Sequence, residues 1–146
     1  MSSLTMSRAE RESFLADTHV GIVSIAEAGR GPLTVPVWYR YEPGDAVHFV
    51  TGGKSRKATL ILSAGRAGFC VQTETPPYKY VSIEGPVTLG EPDAERDVRE
   101  VAIRYLGQQM GEMYLAMMAA DPDAASSVLV TLKPERWYSV DYSKLG

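Results

Sequence analysis

Apolar positions along this chain fall into two periods, one of about 3.6 residues and one of two, and the switches between them mark the elements. Ser7 with Glu10 three positions later is a capping box, and residues 8–17 behind it make an amphipathic first helix ending near Asp17. Residues 20–26 read as a buried strand, and Gly29, Gly31 and Pro32 turn the chain back. Residues 33–41 are strongly β-prone, but Pro36 has no N–H for a ladder, so the chain lies there at an edge or a bulge, a device that re-aims backbone toward ligands. After a turn at residues 42–45, residues 46–50 form a third strand. Residues 67–73 and 78–89 are two more, the second long and bent near Gly85. Residues 93–118 predict a helix with Val98, Val101, Ala102, Tyr105, Leu106 and Met110 on one face, kinked or divided at Gly107 and Gly111. Strands at 127–134 and 136–142 close the sheet. Short strands at this spacing predict a mainly β domain, a small antiparallel barrel with flanking helices.

One junction carries more than architecture. Val47, Phe49 and Val50 run through Thr51 into Gly52 and Gly53, and Lys54, Ser55, Arg56 and Lys57 then open a helix expected over residues 57–64. Ser55 is a good N-cap, and the first turn of a helix has orphan N–H donors. Three cations stand where the helix dipole disfavours them, which points to an anion such as a phosphate. The competing reading of the same residues is a solvated basic turn after a strand.

Composition narrows the alternatives. The 146 residues suit a single domain, 1–146, with a real core. At 45% hydrophobic and 23% charged residues and a net charge of −3, neither nucleic acid nor an anionic membrane is an expected partner, so any basic site is local. No apolar run is long enough to span a bilayer and the first residues lack an apolar leader segment, so the expectation is a cytoplasmic protein. Cys70, flanked by Phe69 and Val71, reads as a strand residue rather than a reactive thiol. His19 and His48 have no partner at metal-ligand or triad spacing and read as structural or surface residues, so no metal site is expected and no catalytic side chain is assigned. Met110, Met113, Met117 and Met118 read as core or dimer surface. What remains is a cation cluster with aromatics, the chemistry of a cofactor bearing a phosphate and a planar ring.

Phe49, Val50 and Thr51 followed by Ser55, Arg56, Lys57 and Ala58 resemble the strand, turn and helix of the pyridoxamine 5′-phosphate oxidase-like, flavin-binding split-barrel family, and the element order matches over residues 14–137. The resemblance implies a six-stranded antiparallel Greek-key split barrel that works as a homodimer. It implies a phosphate held by Thr51, Ser55, Arg56 and Lys57 with Lys54 beside them, and a ring laid along Val35, Pro36, Val37 and Trp38. Tyr78, Lys79 and Tyr80 would come from the second subunit, with Trp137 as a ring-side contact. Family namesakes carry an Arg-x-His segment near their C-terminus that has no counterpart here, so vitamin B6 oxidation is not expected. Shorter relatives include enzymes using the deazaflavin coenzyme F-420, whose phosphate and ring occupy the same groove as FMN. The expected activity is therefore an oxidoreductase passing a hydride from F-420, or from FMN, to a small planar or conjugated acceptor. A non-catalytic flavin or deazaflavin carrier or sensor and a haem-binding relative are the alternatives, the last disfavoured by the lack of a credible axial His.

Overall fold

The structure is a computed structural model and describes residues 3–145. Helix α1 (Arg8–Ala16) opens with the expected capping box: Ser7 Oγ accepts from the Glu10 N–H, and the Glu10 carboxylate accepts from the Ser7 N–H at 2.8 Å. The helix buries Phe14 and Leu15 in the core. The strands follow as β1 (Gly21–Ile25), β2 (Leu33–Val37), β3 (Val47–Gly52), β4 (Arg66–Gln72), β5 (Lys79–Gly90), β6 (Ser127–Leu132) and β7 (Arg136–Asp141), with α2 (Arg56–Ala64) between β3 and β4. Every pairing is antiparallel, in the order β2-β1-β4-β5-β6-β3, with β7 beside β5.

The sheet curls into a half-barrel because β5 belongs to both of its halves. Residues 80–86 of β5 pair with β4, and residues 87–90 pair with β6. The change of partner falls just after Gly85 and Pro86, and Gly85 allows a close approach there: a Cβ would lie 1.8 Å from the Lys133 carbonyl oxygen. Seven strands are found among the described residues instead of six, since β6 and β7 run one after the other along β5. The N–H groups of Lys133 and Glu135 bond the Pro86 and Glu84 carbonyls between them. Pro36 sits on an edge strand as expected, for β2 pairs only with β1.

The second strand is shorter than the apolar run 33–41 predicts. After Val37 the chain leaves β1 and crosses toward β3, where Arg40 and His48 exchange two backbone hydrogen bonds of 3.0 and 3.1 Å and bring the two ends of the sheet together. Tyr39 and Tyr41 turn inward and are buried with Val47, Phe49, Phe69, Val130 and Leu132, while Trp38 and Arg40 point outward.

The long predicted helix is two helices. A widened turn at Ala94–Arg99 leads into α3 (Glu100–Ala119), which breaks at Gly107 with φ 84° and ψ 172°, a conformation open essentially to glycine alone. The second half folds back on the first. Gly111 packs so closely on Ile103 that an added Cβ would stand 3.0 Å from its Cα, and Arg99 pairs with Glu112 across the fold. Gly111 is thus a packing glycine and not a second break. Tyr105 ties this hairpin to the barrel: its hydroxyl donates to the His19 carbonyl at 2.6 Å and accepts from the Tyr39 N–H at 3.1 Å.

Candidate functional site

The helical hairpin roofs a cavity of about 710 Å³ over the outer face of the barrel. Alternation along the strands builds its floor: Pro36, Trp38 and Arg40 come from β2 and its continuation, His48 and Val50 from β3, and Ser127 and Leu129 from β6. Pro92, Asp97, Val98, Val101, Tyr114 and Met118 form the roof. Trp38 stands where floor meets roof. Its ring stacks on Tyr105, with centroids 5.2 Å apart and planes 7° from parallel, and Tyr114 tilts against it at the same separation.

One end of the cavity is the β3–α2 junction. Ser55 caps α2 by accepting from the Ala58 N–H at 3.2 Å, so the helix starts at Arg56, one residue earlier than predicted, and ends at Gly65 with φ 70°. The Thr51 and Ser55 hydroxyls lie 3.3 Å apart, and Thr51 and Lys57 line the cavity. Among the described residues no carboxylate lies within ion-pair distance of Lys57 or Lys54. The Gly53 N–H is bonded to the Ser126 carbonyl at 2.9 Å, which fixes the turn against the start of β6. Arg56 is turned away from the cavity and pairs with Glu27.

The other end is charged and buried. Arg40 Nε donates to Asp97 Oδ1 at 2.8 Å, and Asp97 Oδ2 accepts the Asp93 N–H at 2.7 Å. Burial alone would raise the Asp97 pKa, but that N–H with the Arg96 and Arg40 guanidiniums outweighs it and holds the carboxyl below its ordinary value. His48 rests its Nδ1 on the Thr131 hydroxyl at 3.1 Å. Burial, with Arg40 second, pushes its pKa down against the Asp45 carboxylate, which lies 3.7 Å from Nε2 and raises it.

Of the residues expected at a cofactor site, the cavity gathers Pro36, Val37, Trp38, Thr51 and Lys57, with Ser55 touching Thr51 behind them. Val35 packs on the core instead, and Lys54 stays exposed in the turn. Tyr78 is exposed, Lys79 faces Asp141 at 4.0 Å, Tyr80 leans on Tyr138, and Trp137 packs on Tyr41 beneath Arg11, all outside the cavity of their own chain. Arg40, His48, Asp97 and Tyr114 are the residues that sequence reasoning missed. Only the alternation Pro36, Trp38, Arg40 on one strand face could have flagged the first. His19, by contrast, is structural: Nε2 lies 2.8 Å from the Phe14 carbonyl. Cys70 is half-buried in β4 and burial pushes its thiol pKa up. Among the described residues no cluster of His, Cys, Asp or Glu is placed to hold a metal ion, and no helix is long and apolar enough to cross a membrane.

A strand, a glycine turn and a serine-capped basic helix at the rim of a curled antiparallel sheet fit one family model, pyridoxamine 5′-phosphate oxidase, which matches residues 7–141. The chain belongs to this family. Among solved structures, a conserved hypothetical protein of Mycobacterium tuberculosis resembles this pyridoxamine 5′-phosphate oxidase-family chain with a TM-score of 0.78 at 24% identity, covering 100% of this chain and 91% of the other. An F-420 reductase gives 0.71 at 19% identity over 87% of this chain and 94% of its own. An FAD-binding protein of Mesorhizobium loti gives 0.65 at 18% identity, covering 92% and 94%. At these identities the likeness establishes the split-barrel fold. Among curated proteins the sequence finds no match.

Proposed function

We propose that this chain is an oxidoreductase that binds the deazaflavin F-420, or FMN in its place, with the phosphate at the α2 N-terminus and the ring along Pro36, Val37 and Trp38. The observation that carries this reading is the convergence of Thr51 and Lys57, with Ser55 against Thr51, on the wall of a largely apolar cavity. The residues present fit such a group. Two adjacent hydroxyls, an ammonium with no carboxylate partner among the described residues and the orphan N–H groups of a helix start suit a phosphate. A volume of about 710 Å³ falls within the usual range of cofactor pockets. The F-420 reductase and the FAD-binding protein of the same fold support the cofactor class.

When bound, such a ring supplies the hydride chemistry, and the protein supplies orientation and exclusion of water. Lys57, Thr51 and Ser55 hold one end. Arg56 would join them by exchanging Glu27 for the phosphate, one charge-assisted partner for another, with Lys54 adding charge from the turn. The floor and the Trp38 edge set the plane of the ring, and the hairpin roof keeps solvent off its face. Tyr78, Lys79 and Tyr80 enter from a second copy in a homodimer, with Trp137 as a ring-side contact. Exposed Tyr138 on β7, with Tyr78 just before β5 and Tyr142 just after β7, offers that copy an aromatic surface. The acceptor is a small planar or conjugated molecule.

Calorimetric titration of wild type and Lys57→Ala with F-420, FMN and riboflavin tests the site. Losing one charge-assisted contact raises the Kd for FMN roughly ten- to a hundredfold. Riboflavin, which has no phosphate, binds both proteins alike. Light scattering of the loaded protein gives a mass near twice 16.0 kDa. Equal FMN affinity in the two proteins refutes the phosphate site, and a loaded monomer refutes the shared one.

A further inference from the structure

The end of the cavity away from Lys57 carries a cation that the phosphate reading does not use. Arg40 lies on the cavity wall with its side chain only 18% exposed. Asp97 holds it through Nε, and among the described residues its two terminal nitrogens have no hydrogen-bond partner in the protein. Asp97 itself is saturated: its side chain is 1% exposed and also accepts from the Asp93 N–H and from Arg96 Nε at 3.3 Å. A guanidinium gripped at Nε keeps its opposite edge, a flat fork of parallel N–H donors suited to two coplanar oxygens. Those two nitrogens are not buried in packed protein: they are open to the cavity and available to a ligand.

The surroundings define what the fork can take. His48 pairs with Arg40 across the strands and is tethered to Thr131, with the half-exposed Asp45 carboxylate 3.7 Å from its Nε2. Trp38 precedes Arg40 on the same face, and Val50 and Leu129 line the floor, so the surface between the two polar ends is apolar and suits a flat ring. His48, beside Arg40, and Thr51 are three residues apart on one strand, about 10 Å along its backbone. A molecule reaching from one to the other is planar, with oxygens on its far edge.

We propose that Arg40, fixed through Nε by Asp97, is a second anchor that grips a planar edge bearing carbonyl or carboxylate oxygens. That edge belongs either to the dione side of the cofactor ring or to the hydride acceptor. The inference deepens the proposed function and rests on it. Together with the phosphate grip at Lys57, it fixes both the length and the facing of whatever lies on the floor. Arg40 is in this sense a positioning and specificity-determining residue.

Removing Arg40 alone strands the buried Asp97 charge and endangers folding, so two other variants carry the test. Arg40→Lys keeps the charge and loses the fork, while the pair Arg40→Gln with Asp97→Asn removes both partners together. Each is titrated with FMN, with riboflavin and, when FMN-loaded, with cinnamate as a planar carboxylate, after melts establish folding. If the edge is the ring's, both variants bind FMN and riboflavin alike roughly tenfold or more weakly. The N3–H of the bound flavin, read from its absorbance, then titrates at higher pH than in wild type. If the edge is the acceptor's, flavin affinity holds within about threefold and cinnamate affinity falls by roughly tenfold or more. Folded variants that bind all three ligands as wild type does overturn the anchor. Lys57→Ala separates this from failure of the phosphate site, since it weakens FMN and not riboflavin. Should wild type bind no flavin or deazaflavin, the cofactor reading fails. Cinnamate binding to the unloaded protein, lost in both variants, then still supports the anchor, and its absence overturns it.

Discussion

Tyr105→Phe isolates the tie that holds the helical hairpin over the barrel. The tyrosine hydroxyl donates to the His19 carbonyl at 2.6 Å, accepts from the Tyr39 N–H at 3.1 Å and lies 3.2 Å from the Tyr39 carbonyl. Phenylalanine keeps the stack on Trp38, so the loss is confined to that oxygen. A net hydrogen bond contributes about 0.5–1.5 kcal/mol, and a buried donor left unpaired costs about 1–3 kcal/mol. Losing the first bond and stranding the Tyr39 N–H therefore destabilises by about 2–4 kcal/mol. In a chain of this length that lowers Tm by roughly 5–15 °C. Urea unfolding reads the same loss as a lower midpoint at constant m. Tyr105→Leu, which also gives up the stack, falls below Tyr105→Phe by a further 0.5–1.5 kcal/mol or so. A phenylalanine variant within about 0.5 kcal/mol of wild type would mean that water replaces the hydroxyl, and that the hairpin is not tied to the barrel at this point.

Two further outcomes follow from other parts of the fold. The folded-state pKa of His48 lies below the ordinary value of about 6.5, so the unfolded chain takes up the proton first. Stability accordingly falls as pH drops through the unfolded value toward the folded one and levels off below both; urea midpoints between pH 8 and pH 5 lose part of this slope in His48→Gln, and an identical slope refutes the burial assigned to the ring. Gly85→Ala drives a methyl into the Lys133 carbonyl and costs at least about 2–3 kcal/mol, whereas Gly90→Ala on the same strand meets open space and costs under about 1 kcal/mol, so equal melts of the two variants would refute the close approach at the bend.

Local chemistry was the part of the fold most legible in the sequence. Ser7 with Glu10, Ser55 before Lys57 and Gly65 after Ala64 each decide a helix end within four residues, and the structure places all three as caps. Apolar alternation located the strands for the same reason, since a half-buried strand records its facing in every second residue. Long-range events were not legible. Nothing near Arg56 announces Glu27, which stands 29 positions away and turns the guanidinium aside. Arg40 meets Asp97 across 57 positions, and only the fold makes them one polar cluster. Gly107 was visible as a breaker, but a glycine signals that a helix can stop without saying that the next one doubles back. Tyr78, Lys79, Tyr80 and Trp137 depend on where a second chain sits, a relation that no periodicity within one chain encodes.

The hairpin enters and leaves the sheet at a single place, because Gly90 pairs with Leu129. Topologically, residues 91–126 are an overgrown turn between two neighbouring strands, a cassette inserted where a two-residue loop would suffice. Loop-closure entropy grows slowly with length, by about 0.6 kcal/mol per doubling, so the barrel tolerates such a cassette at small cost. Its ties to the rest include Tyr105 to His19 and Tyr39, Arg104 to the Ala16 carbonyl, Asp97 to Arg40, the Ser126 carbonyl to the Gly53 N–H, and Trp38 packed on Tyr105 and Tyr114. The wall that faces a bound molecule can therefore be lengthened, shortened or exchanged while the strand register beneath stays as it is. One barrel can thereby serve many ligands through change in a single contiguous piece of chain.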